Sequence, residues 1–542
     1  MDGDLSAGAK DITLPYSHTM IVNLWTGIRE RSDRIAAALE RKWLVFVILF
    51  AEVYAVITAL HGMRRFWHDE LSTFYMCRLP NMSAVWSALK DGADLNPPLF
   101  YVVTRACQAA FGSSELATRL PAILGFLVMS LCVFHFVSGF GSRLAGLAAM
   151  SFTVITGSYY YASEARAYGL VLGFSGLAVI LWQSAARHER RGIALPGLAA
   201  ALAGALLCHC YAVLAMVPFA LAEAARLISR RKFDWPMLVW LAVPCPAVLL
   251  YLPMFAATRG PLFDNPVYRP EWGSIPACYA IHFGAALWPV LAGLVILALA
   301  RSNPETSSED QRGSAIPAHE MALAVGFALV PVFGVLLAMG VTGVFMDRYG
   351  VTALIGFSIL IGALVARRAR QSRSAAAAVL FIFIGTFALN SAAWITGLVM
   401  KPRNAKTIPK PQLVLSELSR DVPVVITNGL LFLEFDHYES KAVTDRLYFL
   451  TDAANAVRYT GTDAFDRGFY ILRRWFPIRA HLEDYRQFLS THSHFLVLAE
   501  YDFPMDWVMR KMLDDHVPMA FKGQFSLQHG DAILVEVSRA PQ

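Results

Sequence analysis

An imidazole and two carboxylates stand side by side in "FWHDELSTFY", as His68, Asp69 and Glu70, flanked by aromatic residues. Two further stretches set charges beside tyrosine. "YYYASEARAYG" carries Glu164, Arg166 and Tyr168, and "GVFMDRYG" carries Asp347, Arg348 and Tyr349. A carboxylate can take a proton from a hydroxyl or an amine. Two arginines can hold a phosphate through forked, charge-assisted hydrogen bonds. Acids and arginines on one membrane face therefore suit transfer of a group from a lipid phosphate to a hydroxyl or amine. Each element also has a plainer reading. The charges can pair with their neighbours, arginine snorkels to lipid headgroups, and tyrosine is common in interfacial belts. Glu115 and Arg119, four residues apart, read as a structural ion pair. His68 reads more readily as a hydrogen-bond partner than as a base.

The elements that must position these residues are membrane helices. Of 542 residues 56% are hydrophobic and 16% charged, where a soluble domain is nearer a quarter charged. Apolar runs of about 20 residues recur, each able to cross the hydrocarbon core. They predict eleven spans, near 43–62, 119–139, 143–160, 168–185, 194–207, 211–227, 235–255, 278–299, 320–341, 349–366 and 375–396. Basic clusters at 29–42, 187–191, 226–232 and 367–373 mark inner loops. They place the N-terminus inside and the C-terminus outside. Arg166 and Arg348 then lie on the outer face, against that bias, and boundary charges of this kind carry functional hypotheses. The net charge of +6 is accounted for by topology, so it is weak evidence for a nucleic-acid partner. The pair of short helices at 194–207 and 211–227 turns at "CHCY". Residues 20–39 read as an amphipathic helix on the inner surface. The first apolar run starts too far in for a cleaved leader.

This gives three parts: a segment 1–42, a transmembrane domain 43–400 with an outer loop 63–118, and a C-terminal part 401–542. In the last, "VPVVIT", "RLYFL", "HFLVLAE" and "AILVEVS" read as strands, "MDWVMRKMLDDH" and "IRAHLEDYRQFLST" as helices. The alternation predicts a small α/β domain. The seven cysteines are scattered and mostly within apolar runs, where they act as small packing residues. "CHC" at 208–210 has a poor spacing for zinc. Pro97 and Pro98 stiffen the loop and force Asn96 into an extended conformation. Phe66, Trp67, Phe100 and Tyr101 fit an isoprenoid groove and a set of belt anchors equally well.

"HDELSTFY", then "NPPLFYVVTRACQAAFGSSELATRLPAILG", then "SYYYASEARAYGL" resemble the GT-C superfamily of membrane glycosyltransferases. The likeness is to the bacterial branch similar to polyprenyl-phosphate-mannose protein mannosyltransferases, with lipid A sugar transferases. It is specific over 66–175 and extends weakly to "DRYG". Asn96 departs from it, standing where many relatives have His before the two prolines. The resemblance implies a GT-C fold in a bacterial inner membrane and a polyprenyl-phosphate sugar donor. The acceptor would be extracytoplasmic: protein, lipid A, polysaccharide or glycolipid. It implies Asp69 as the general base and Glu70 as orienting the acceptor or helping to arrange a divalent cation. It implies Arg166 and Arg348 as donor-phosphate ligands, with Tyr168 and Tyr349 positioning them. His68, Asn96, Pro97, Pro98, Tyr101 and Glu164 would belong to the substrate loops. Direct attack at the anomeric carbon would invert it. Adjacent carboxylates permit Mg²⁺ or Mn²⁺ without demanding it. A rival reading is a transporter or flippase for a lipid-linked sugar. It calls for midplane charges and internal repeats, and neither is evident. A sensor or scaffold built on the C-terminal domain is a third.

Overall fold

The computed structural model describes residues 31–254, 266–300, 316–399, 422–500, 503–526 and 531–539. The boundary expected at 400/401 and most of the surface helix expected at 20–39 lie outside these residues, although 31–41 is helical. The bulk of the chain is a bundle of apolar helices. Among the described residues seven are long and apolar enough to cross a membrane: Trp43–His61, Glu115–Ser138, Tyr168–Ala186, Cys210–Arg230, Trp235–Met254, Ser274–Leu299 and Arg373–Thr396. An eighth crossing is formed if Ala318–Ala328 and Val330–Thr342, bent by 53° to one another, act as one broken span. The other three expected spans correspond to shorter helices, Arg143–Thr153, Arg191–Leu206 and Ala353–Ala369. By length and composition alone the described residues thus hold seven or eight crossings against the eleven expected. Helices shielded by neighbours need not be full length.

Two close approaches bring the site-bearing segments together. The Glu115–Ser138 and Tyr168–Ala186 helices cross backbone to backbone at glycines. A Cβ on Gly169 would stand 2.6 Å from the Ala122 Cα, and one on Gly173 would stand 2.8 Å from the Gly125 Cα. Small residues are what let membrane helices pack this closely. The broken span ends in a π-helical turn, Ala338–Thr342, and Gly343 follows with φ of +71°. Glycine takes that left-handed conformation without steric cost. It turns the chain out of the helix and into the short 3-10 turn Asp347–Gly350.

The segment expected as an extended outer loop is instead largely helical, with helices His68–Arg78, Met82–Lys90 and Pro98–Phe111. The first is buried on all sides from Glu70 to Cys77. A helix without a polar face gives no 3.6-residue pattern to read. Asp69 and Glu70 therefore sit in a first helical turn, where the helix dipole favours negative charge.

The C-terminal part is a mixed sheet of six strands: β1 Val424–Ile426, β2 Leu447–Thr451, β3 His481–Asp484, β4 His494–Glu500, β5 Met519–Ser526 and β6 Asp531–Ser538. Their order is β3-β2-β1-β4-β6-β5. The first four run parallel, and β6 pairs antiparallel with β4 and β5. Four strands stand where the sequence places them. β3 and β5 were not anticipated. "IRAHLEDYRQFLST" is part strand, because Asp484 accepts hydrogen bonds from the Arg486 and Gln487 amides and starts the helix only at Tyr485.

The sheet domain is not a separate body. Phe66, Phe74, Tyr75 and Phe100 share one hydrophobic core with Leu431, Phe432, Phe469 and Phe476. The Phe66 amide donates to the Tyr438 hydroxyl at 2.6 Å, and Tyr438 donates to Glu115 at 3.2 Å. Tyr75 Oη lies 2.7 Å from His437 Nδ1.

Candidate active site

Asp69 begins the site. Its backbone is fixed by the first turn of the His68–Arg78 helix, and its carboxylate meets Arg348 Nη1 at 3.0 Å. Both side chains keep about a fifth of their surface exposed. They line a cavity of about 620 Å³ together with Trp67, Tyr161, Tyr268, Asp347 and Leu430. Leu430 comes from the sheet domain, so that domain forms part of the wall. Burial alone would raise the Asp69 pKa. The opposing pull of Arg348, then Arg166, then His68 outweighs it and holds the group below its usual value.

Arg166 lies behind Asp69. It donates to the Asp69 carbonyl at 3.1 Å and is gripped by both oxygens of Asp94, at 2.8 and 3.2 Å. The arginine is 7% exposed and its Nε has no hydrogen-bond partner. Arg166, Arg348, Tyr168, Tyr349 and Asn96 line a second, smaller cavity of about 90 Å³ with His209 and Tyr211. Arg348 and Met346 line both cavities, so the guanidinium stands between them. Tyr349 is stacked on Tyr211 at 4.1 Å. The buried Asn96 leaves its Nδ2 without a partner.

Glu70 faces the other way. It is fully buried and closes a forked pair with Arg119, Nε to Oε1 at 2.7 Å and Nη2 to Oε2 at 2.5 Å. It also accepts from the Ala165 amide at 2.7 Å and the Trp67 amide at 3.3 Å. Arg119 donates its remaining hydrogens to the carbonyls of Gly62, Arg64 and Arg65. The Glu115–Arg119 pair expected from their spacing is therefore replaced by Glu70–Arg119, because a two-pronged, fully buried partner outcompetes a half-buried neighbour one turn away that Tyr438 already engages. Glu70 ties three chain segments together and does not line either cavity. Its oxygens are both engaged, so with Asp69 it makes no chelate for Mg²⁺ or Mn²⁺. Among the described residues no group of three or more His, Cys, Asp or Glu could hold a metal ion.

The remaining expected residues divide. Glu164 is 1% exposed with Oε2 unpartnered. Burial first, then the charge of Glu70, raises its pKa to about 7. Pro97 caps the Pro98–Phe111 helix and Pro98 is its first residue, the place where a missing N–H costs nothing. Tyr101, Phe66 and Phe100 are buried in the core. They line neither of these two cavities, whereas Trp67 lines the larger one. His68 packs edge-on against Phe465 and Phe469 of the sheet domain. Burial lowers its pKa.

Three contributors escaped the sequence reading. Asp94 stands two residues before Asn96 without a motif to mark it. Tyr161 was read only as part of a loop. His282 accepts no motif either, yet its Nε2 lies 2.9 Å from the Asp347 carbonyl and its Nδ1 2.8 Å from Ser158 Oγ. It thereby fixes the turn that carries Arg348. Gly157 makes this possible by lying against the Ile281 carbonyl, where no Cβ would fit.

The chain is similar in structure to ArnT from Cupriavidus metallidurans in the apo state, with a TM-score of 0.54 and 14% identity over 93% of this chain and 99% of that one. ArnT bound to undecaprenyl phosphate gives a TM-score of 0.50 and 14% identity over 91% and 98%. The archaeal oligosaccharyltransferase AglB from Archaeoglobus fulgidus, in complex with an inhibitory peptide and a dolichol-phosphate, is more distant at TM-score 0.42 and 11% identity over 93% and 75%. No family model and no curated protein sequence matches the chain. The shared architecture is that of the GT-C fold, as the resemblance implied.

Proposed function

We propose that this GT-C-fold membrane protein is a glycosyltransferase. It moves a sugar from a polyprenyl-phosphate donor to a hydroxyl or amine of an extracytoplasmic acceptor: protein, lipid A, polysaccharide or glycolipid. It acts at the outer face of a bacterial inner membrane with its N-terminus cytoplasmic. The observation that carries this reading is the ion pair Asp69–Arg348, standing between the larger cavity and the one that holds Arg166.

Asp69 takes the proton from the acceptor as that atom attacks the anomeric carbon. The bond from carbon to phosphate oxygen breaks, and the electron pair leaves on polyprenyl phosphate. Charge builds on that phosphate, where Arg348 and Arg166 stabilise it. The leaving group needs no proton at neutral pH, so one base suffices and the anomeric centre inverts. Asp94 holds Arg166 rigid, and Glu70 holds the Ala165 backbone beside it. An aspartate paired with arginine is a weak base. Donor phosphate competes for Arg348 and so releases Asp69, which couples donor binding to activation of the base.

The test is transfer by the purified chain in nanodiscs, with radiolabelled polyprenyl-phosphate sugars, with and without EDTA. Wild type should release polyprenyl phosphate, and Asp69→Asn should lower turnover roughly 10²–10⁴-fold, the range for a lost general base. Full turnover in Asp69→Asn would remove it as base. Failure of wild type with every donor and acceptor class would favour the flippase reading.

A further inference from the structure

At the end of the bundle opposite Asp69, a cavity of about 760 Å³ lies between the helices Met216–Arg230 and Trp235–Ala242. That volume is in the range of ligand sites. The hairpin formed by Arg191–Leu206 and Cys210–Arg230 reaches the catalytic cavities at His209. Its other ends, Arg191 and Arg230, therefore mark the opposite membrane face.

The cavity has a polar rim of Arg226, Arg230, Lys232, Glu223 and Asp234. The two carboxylates are already engaged. Glu223 binds Arg226 at 2.7 Å and accepts from the Trp182 indole at 2.7 Å. Asp234 binds Arg191 at 2.5 Å and Arg226 at 3.2 Å, and caps the next helix. Cationic capacity is left over. Arg226 is 2% exposed, yet its Nε has no partner. The hydrogen-bond partners of Arg230 are His188 Nε2 and the Ala186 carbonyl, each at 3.3 Å. Among the described residues neither Arg230 nor Lys232 is within ion-pair distance of a carboxylate.

Two more observations set the rim apart. Four non-glycine residues have positive φ among the described residues; one of them, His188 at 63°, lines this cavity, and two more, Arg190 at 44° and Arg231 at 53°, are helix caps next in sequence to the lining residues Arg191 and Arg230. Below the rim the surface is apolar. Trp235 is 65% exposed and stacked on Phe233 at 5.3 Å, in the manner of an interfacial anchor.

We propose that this cavity binds an anionic phospholipid of the inner leaflet. The phosphate sits on Arg230 and Lys232 with Arg226 behind them, and the acyl chains run down the apolar wall. Surplus positive charge selects an anionic headgroup, and the apolar wall selects a lipid over a free anion.

The experiment is native mass spectrometry of the purified full-length chain in detergent. Phosphatidylglycerol, phosphatidylcholine with the same chains, and soluble glycerol phosphate are titrated separately. Wild type should retain phosphatidylglycerol at least about tenfold more tightly than phosphatidylcholine, and R230Q/K232Q should lose at least about tenfold of that advantage. Glycerol phosphate at equal concentration should not displace the lipid. Equal retention of both lipids, an unaffected double variant, or displacement by glycerol phosphate would each overturn the proposal. K232Q alone alters one exposed side chain. It should fold as wild type and still show a partial loss.

Discussion

Asp69 and Glu70 are neighbours in sequence with opposite fates. One is half in a cavity with a single arginine, and the other is sealed with Arg119. Their conservative amides should separate the two roles. Glu70→Gln strands the Arg119 charge in the interior, a change that costs about 3–5 kcal/mol. It should lower the unfolding temperature and take activity with it. Asp69→Asn should leave the unfolding temperature near wild type while turnover is lost. Thermal melts beside transfer assays decide this. Glu164 supplies a pH signature. Its folded pKa of about 7 lies above the 4.5 of an ordinary glutamate, so the folded state binds the extra proton between those values. Stability should fall as pH rises from about 4.5 to about 7 and then level off, by roughly 3 kcal/mol for a shift of that size. Glu164→Gln should flatten that slope in melting curves taken across the window. Asp69 and Arg348 were legible in the sequence because ionised groups at a membrane boundary are rare enough to stand out. Asp94 was not, since a lone aspartate in a loop is unremarkable until Arg166 folds onto it. Arg119 was read with the wrong partner because helical spacing reveals only local pairs.

The elements hold this chemistry by close approach. Gly169 and Gly173 let the Tyr168–Ala186 helix meet the Glu115–Ser138 helix backbone to backbone, which sets Arg166 and Arg119 a fixed distance apart. Gly169→Val has no room for its side chain and should abolish recovery of monodisperse protein, read by size-exclusion chromatography after solubilisation. Arg348 depends on a different support, the hydrogen bond from His282 to the turn. His282→Ala should raise KM for the donor several-fold while the protein stays folded. A fall in kcat with unchanged KM would show that His282 does not act through Arg348. The long apolar helices were plain from hydropathy. The buried helix His68–Arg78 was not, because a helix apolar and polar residues surround equally on all sides has no stripe. The bent pair Ala318–Ala328 and Val330–Thr342 reads in hydropathy as one continuous run, since composition carries no angle.

At the scale of the whole molecule, the helical membrane bundle follows from composition and the α/β character of the C-terminal part from strand alternation, the GT-C fold was implied by the motif resemblance, and the docking of the two parts follows from none of these. Nothing in "FWHDELSTFY" announces that its aromatic residues will pack on a domain more than 300 positions away. Labelling of single cysteines in intact cells should mark Tyr160→Cys, the exposed position within 158–166, and the sheet domain from outside and Lys232→Cys from inside. An inner label at either of the first two would overturn the orientation. The shared core also bears on how the protein is made. The helix that carries Asp69 is synthesised early, but part of the surface that buries it, Leu431, Phe432, Phe469 and Phe476, arrives only when the last quarter of the chain has left the ribosome. A chain cut short by a premature stop would have every membrane helix and an intact acid pair, yet no completed wall around it. Such a product would lack the Leu430 side of the larger cavity, so that wall is complete only once translation ends.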